Sequence, residues 1–171
     1  MRKAALHNLG CKVNSYETEA MTQLLKKAGY EIVSFQDQAD VYIINTCSVT
    51  NMADRKSRQM LHKAKKQNPN AVVVATGCYV QTATEKVVQD LSIDLVVGNN
   101  RKKDIVEILN EYYAEKEAGE QVKEEYVIDI NHTDEYEDLE ISTVTEHTRA
   151  HLKIQDGCNN FCSYCIIPYA R

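Results

Sequence analysis

The sequence predicts an α/β protein built on an open, mostly parallel sheet with helices on both faces. Three observations lead there. Short apolar runs such as "YIIN", "VVVA" and "LVV" do not alternate with polar residues, as expected of strands covered on both sides. Segments of ten to twenty residues with helical periodicity separate these runs, which makes neighbouring strands parallel. Glycine and Asn-Pro punctuation falls where those helices should stop. With 43% hydrophobic residues, no tryptophan and two phenylalanines, the core must come from Val, Ile, Leu, Ala and Tyr.

Taken in order, "KAALHNLG" is the first strand. "CKVNSYETEAMTQLLKKAGY" follows as a helix, with Asn14 and Glu17 in capping-box spacing and Gly29 as its stop. "EIVSF" and "DVYIINT" are the next strands. "NMADRKSRQMLHKAKKQNPN" is a helix with Met52, Met60, Leu61 and Ala64 facing inward, closed at Asn68-Pro69. "AVVVATG" reads as a fully buried strand. "TATEKVVQDL" opens on a second capping box, Thr82 with Glu85, and "DLVVG" and "RKKDIVEILNEYYAEK" complete the unit as strand and helix. This gives a first domain over 1–114.

The next stretch, 115–148, is an acidic linker. It carries twelve acids against Lys116 and Lys123, a net of −10, whereas the whole chain carries −5. The remainder is therefore a basic body at +5, a balance compatible with nucleic acid. Within the linker, "YVIDI" at 126–130 is expected to add a short edge strand. From 149 to 171 order resumes, with "RAHLKIQDGC" as the first strand of another domain. No apolar run is long enough to span a bilayer and no secretory leader is visible, so the expected compartment is the cytoplasm and no membrane partner is expected.

The six cysteines divide into two sets of three. Cys11, Cys47 and Cys78 each stand just beyond the carboxyl end of a predicted parallel strand, the edge where ligands bind in open α/β sheets. Individually, each is as readily a small buried hydrophobe. Together, at one edge, they point to a shared metal or cluster site. Cys158, Cys162 and Cys165 crowd one loop with C-x3-C-x2-C spacing, which suits iron–sulfur ligation. A structural zinc normally wants four ligands, with His147 or His151 as the available fourth. Three thiolates on a cubane would leave one iron open to a substrate. Six cysteines would also suit a small electron carrier, although such carriers ligate each cubane with four thiolates and need no α/β body of this size. A zinc-stabilised nucleic-acid module is the third possibility.

The loop followed by "IIP" resembles the radical S-adenosylmethionine enzymes. With "NLGCKVNSYETE", "INTCSVTNMADRKSRQ", "ATGCYVQ" and "DLVVGNN", the first hundred residues resemble the N-terminal domain of the methylthiotransferases. "HTRAHLKIQDGCNNFCSYCIIPYAR" is similar to the start of that family's radical domain, a partial barrel. "GCKVNSYE", "ADVYIINTC" and "CNNFCSYCIIPYAR" most resemble the branch acting on N6-threonylcarbamoyladenosine in tRNA. The isopentenyladenosine-tRNA and ribosomal-protein branches are the alternatives.

The resemblance implies two [4Fe–4S] clusters. Cys158, Cys162 and Cys165 would hold the one that binds S-adenosylmethionine, and Cys11, Cys47 and Cys78 the one that carries sulfur. It implies hydrogen abstraction from C2 of the adenine at tRNA position 37 and insertion of a methylthio group there. The implied partners are the tRNA anticodon stem-loop, S-adenosylmethionine and an electron donor protein. Candidate phosphate contacts are Arg55, Lys56, Arg58, Lys63, Lys65 and Lys66 after Cys47, with Arg101, Lys102 and Lys103 after the "LVV" strand. The family continues beyond position 171 with the rest of the barrel and a small RNA-binding β domain. The chain is thus expected to be a truncated part of an active parent, inactive alone, with residues 158–171 poorly ordered or packed non-natively.

Overall fold

Six strands, all parallel, form one sheet in the order β2-β1-β3-β4-β5-β6. The computed structural model describes residues 1–118, 124–128, 137–141, 151 and 153–171. The strands are β1 (Lys3–Asn8), β2 (Glu31–Ile32), β3 (Val41–Thr46), β4 (Val72–Gly77), β5 (Leu95–Val97) and β6 (Glu124–Tyr126). The helices are α1 (Lys12–Lys27), α2 (Asn51–Gln67), α3 (Cys78–Thr82), α4 (Thr84–Val88), α5 (Ile105–Ala118) and α6 (Ile167–Ala170). A 3-10 turn, Asn99–Asp104, leads into α5.

Both faces of the sheet are covered, and the strand residues alternate between two apolar cores. Tyr42, Ile44, Val73 and Ala75 pack with Leu61 and Ala64 of α2, Val80 of α3 and Val87 of α4. Val41, Ile43, Val72 and Val74 pack with Met21 and Leu25 of α1 and Ile105, Ile108 and Leu109 of α5. All six residues of β3 and of β4 are buried, which is why their sequences show no polar alternation.

Several local expectations are corrected. "EIVSF" pairs over only two residues, because Phe35 turns away from the edge to pack against His7 and Tyr42. Neither capping box forms. Cys11 is the N-cap of α1, so Asn14 and Glu17 lie inside the helix and are buried. Thr82 ends α3, its hydroxyl within hydrogen-bond distance of the Cys78 carbonyl (3.0 Å) and of Ser48 Oγ (2.9 Å). Met52 is 60% exposed, in the first turn of α2, whose buried residues begin at Ser57. The edge strand expected at 126–130 forms at Glu124–Tyr126, with 129 and 130 outside the described residues. Residues 153–158 form no strand, while 149, 150 and 152 are outside the described residues.

Candidate metal centre

Strand order fixes the edge at which the first three cysteines stand. From β1 the chain moves outward to β2, then crosses back to β3 and continues the other way through β4 to β6. The reversal leaves a crevice beyond the carboxyl ends of β1 and β3, the usual ligand site of such sheets. Cys11 caps α1 just after β1, Cys47 directly follows β3, and Cys78 begins α3 directly after β4. All three occupy this edge.

Two glycines make the approach possible. Gly10 has φ +111, and a Cβ there would stand 2.7 Å from Cys47 Cβ and 2.8 Å from Cys47 Sγ. Gly77 has φ +95, and its Cβ would meet Asn45 Oδ1 and the Thr46 carbonyl, each at 2.5 Å. A side chain at Gly10 would occupy the space beside the Cys47 thiol. Cys47 and Cys78 are buried, and Cys11 is exposed.

Among the described residues, no three Cys, His, Asp or Glu side chains are arranged to hold a metal ion. The thiols have other partners. Cys11 Sγ turns toward Asn14 Oδ1 at 3.7 Å, and the Cys78 thiol lies within the field of the Arg171 guanidinium. Burial pushes the Cys78 thiol up, opposed by the positive charges of Arg171 and Lys102. Soft thiol donors at one edge, with the Gly10 gap beside Cys47, nonetheless fit a thiolate-held cluster once they are turned inward.

The second set lies on the loop before α6. Phe161 adopts φ +46, and the Cys165 N–H donates to the Cys162 carbonyl (2.9 Å). Cys162 is exposed, and Cys158 and Cys165 are half-buried. Pro168 and Ala170 of α6 are buried, with α6 packed on α3, and Asn99 Nδ2 donates to the Ala170 carbonyl. α6 is therefore docked on the body, while Tyr164 in the loop before it is 90% exposed. A cleft of about 460 Å³ lies between the segment after Cys47 and the second cysteine loop, with Ser48, Val49 and Asp54 (on α2) on one side and Tyr164, Cys165 and Ile167 on the other. His151 is exposed, and His147 lies outside the described residues.

Sequence reasoning missed a buried ionic group beneath the cysteine edge. Glu17, fully buried, pairs with Lys102 (Oε2 to Nζ, 2.5 Å), Lys153 (Oε1 to Nζ, 3.3 Å) and Arg171 (2.7 and 3.0 Å from its two terminal nitrogens). Asp156 joins through Lys153 (2.6 Å) and Arg171 (2.8 Å). Burial alone would raise the Glu17 carboxyl, but Lys102, Arg171 and Lys153 hold it far below the ordinary carboxylate range. Lys102, expected among the RNA contacts, is 0% exposed and committed here. The local signal was the absence of a cap role for Glu17, which only the true helix start reveals.

The basic candidates on α2 also divide. Lys65 is paired with Asp94, Arg58 meets the Tyr79 hydroxyl, and Lys63 donates to Gln36. Arg55, Lys56 and Lys66 are exposed. Arg101 pairs with Asp104, whereas Lys103 is exposed and its backbone N–H donates to Glu137.

Comparison with known proteins matches this arrangement to relatives. Residues 3–98 match the family described as "Uncharacterized protein family UPF0004". Over 171 residues the chain is 47% identical to the threonylcarbamoyladenosine tRNA methylthiotransferase MtaB of Bacillus subtilis (strain 168), using 100% of the chain and 37% of the relative. The MtaB of Aquifex aeolicus (strain VF5) is 44% identical over 169 residues, 99% of the chain and 40% of the relative. The ribosomal protein uS12 methylthiotransferase RimO of Acetivibrio thermocellus is 34% identical over 177 residues, 99% of the chain and 38% of the relative. The chain thus spans about two fifths of the length of the first two relatives. It belongs to the UPF0004 family and is homologous over its whole length to the methylthiotransferases.

Proposed function

We propose that this protein is a tRNA methylthiotransferase that inserts a methylthio group at C2 of N6-threonylcarbamoyladenosine at position 37. One observation carries the reading. Three cysteines at one edge of the sheet and three more on a single loop stand in a chain 47% identical, end to end, to a protein of that name. Identities of 44% and 47% to the two MtaB proteins, against 34% to RimO, favour the threonylcarbamoyladenosine branch. Residues 1–114 would form the N-terminal methylthiotransferase domain, 115–148 the acidic linker and 149–171 the start of the radical S-adenosylmethionine domain.

Cys11, Cys47 and Cys78 would hold one [4Fe–4S] cluster, and Cys158, Cys162 and Cys165 a second that also binds S-adenosylmethionine. When bound, these groups supply hydrogen abstraction at C2 and delivery of a methylated sulfur, with electrons from a donor protein. The chain's own residues do the rest. The glycines before Cys11 and Cys78 let the loops close on the crevice, and buried Cys47 and Cys78 keep water from that side. Val49 and Tyr164, both exposed at the cleft, offer apolar and aromatic surface on which a base can stack. Among the described residues no helix is long and apolar enough to cross a membrane.

Anaerobic reconstitution with chemical iron and sulfide analysis tests the assignment. Cys47→Ala and Cys158→Ala should each lose about half the bound iron, one cluster of two. In the active enzyme, Cys158→Ala should abolish deoxyadenosine formation and methylthiolation together. Cys47→Ala should abolish methylthiolation while S-adenosylmethionine cleavage survives at least in part. Full methylthiolation by Cys47→Ala would return Cys47 to a buried structural cysteine.

A further inference from the structure

We propose that Glu17 is a clasp: one buried carboxylate that grips both ends of the second cysteine loop and so fixes that loop against the segments that carry the first three cysteines. The loop from 158 to 165 is bounded by Lys153 on one side and Arg171 on the other, and both side chains end on Glu17. Arg171 reaches it with two nitrogens, the planar fork geometry that sets orientation as well as attraction. Asp156 ties the same two cations to each other, closing the base of the loop. The closure extends to the backbone, because a Cβ at Gly157 would stand 2.6 Å from the Arg171 carbonyl oxygen.

The body side of the clasp is equally committed. Lys102, fully buried, comes from the turn after β5 and secures the other face of Glu17, with Asn99 Oδ1 accepting a second bond from it (2.6 Å). Asn14, one turn before Glu17 on α1, accepts from Arg171 (2.5 Å) and donates to the Leu9 and Thr46 carbonyls, each at 2.8 Å. Those carbonyls belong to the segments that deliver Cys11 and Cys47. A displacement of Arg171 is therefore felt at both loops of the first set. Removing or displacing one partner of an ion pair buried this deeply leaves an uncompensated charge, so each cation is held to its place on Glu17. The importance of the clasp for methylthio transfer rests on the function proposed above; its existence does not depend on bound clusters.

The test uses the reduced, metal-free 171-residue chain, so its failure is separate from failure of the iron analysis. Glu17→Gln would strand buried Lys102 and threaten folding, so Arg171→Met, Lys153→Met and Arg171→Lys are the informative variants. The readouts are Cys78 alkylation followed by mass spectrometry and amide exchange in 167–170 compared with β3 and β4. Arg171→Met should raise both Cys78 alkylation and exchange in 167–170 by about tenfold or more, the factor that ~1.4 kcal/mol of lost docking produces. Lys153→Met should act in the same direction more weakly, and Arg171→Lys should restore part of the protection. Exchange in β3 and β4 should stay unchanged. Wild-type alkylation and exchange in Arg171→Met would overturn the clasp, leaving apolar packing of α6 on α3 as the tether. So would equal loss of protection throughout the sheet, which would make the group a general support of the fold.

Discussion

Glu137 is the residue whose charge state most directly reports its surroundings. Burial raises its carboxyl to about 7, with Glu17 adding to the shift, while Lys102, Lys153 and the Lys103 backbone N–H pull it down. Its Oε1 accepts from that N–H at 2.8 Å, and its Oε2 is buried without a hydrogen-bond partner among the described residues. The folded pKa lies above the unfolded value of 4.5, so the folded state binds the proton more tightly. The stabilisation is complete below about pH 4.5 and is lost as pH rises through about 7. Docking of 137–141 should weaken across that window by up to about 3 kcal/mol, at 1.36 kcal/mol per pH unit. Amide exchange of 137–141 at pH 5 and pH 8 measures this, and Glu137→Gln should remove the difference. A Gln variant that keeps the wild-type pH dependence would place its origin elsewhere. Gly77 makes a second residue-scale case. Gly77→Ala should cost about 3 kcal/mol or more, from a strained φ together with a Cβ against the Thr46 backbone. Gly29 has φ +87 but no atom within 4 Å of its Cβ position, so Gly29→Ala should cost only about 1–2 kcal/mol. Urea midpoints showing equal losses would mean that close approach contributes nothing at Gly77.

At the scale of elements, the sheet was legible because its signal is redundant. β3 and β4 open on four consecutive apolar residues and are buried at every position, as only a sheet covered on both faces buries a strand. The helices were legible from periodicity, but their starts were not. The S/T/N-x-x-E spacing at Asn14 and Thr82 suggested caps, yet Cys11 caps α1 and Thr82 closes α3. Spacing alone does not distinguish a cap from two residues one turn apart on a buried face. The same ambiguity hid Glu17, whose three cationic partners come from positions 85, 136 and 154 residues away. Lys102 looked like one more charge in "NNRKKD" because nothing local marks a lysine that points inward. The cysteine edge, by contrast, followed from strand ends alone, since a parallel sheet puts every carboxyl end on one side.

On the scale of the whole molecule, charge is divided so that a mildly acidic total conceals a basic body. The acidic stretch 115–148 holds −10, leaving +5 on the remainder. Structure narrows which of those positive charges face outward, because Lys65 and Lys102 are bound into the fold. Arg55 and Lys66, eleven residues apart on α2, recur on one helix face about 16 Å apart, and Lys56 lies beside Arg55. Such a row can track the phosphates of a stem while the cleft at the α2 N-terminus receives a base. Each phosphate neutralised adds about 0.9 to the salt slope of binding on a duplex. Binding of an anticodon stem-loop RNA to the triple variant Arg55→Ala, Lys56→Ala, Lys66→Ala should therefore weaken, with the slope of log K against log salt shallower by roughly 2–3. Lys65→Ala should leave the slope as it is and lower the urea midpoint instead, because its Nζ pairs with Asp94 (2.8 Å) and donates to the Ala71 carbonyl (3.1 Å). An unchanged slope in the triple variant would remove α2 from the RNA interface and leave the cleft to be reached from another face.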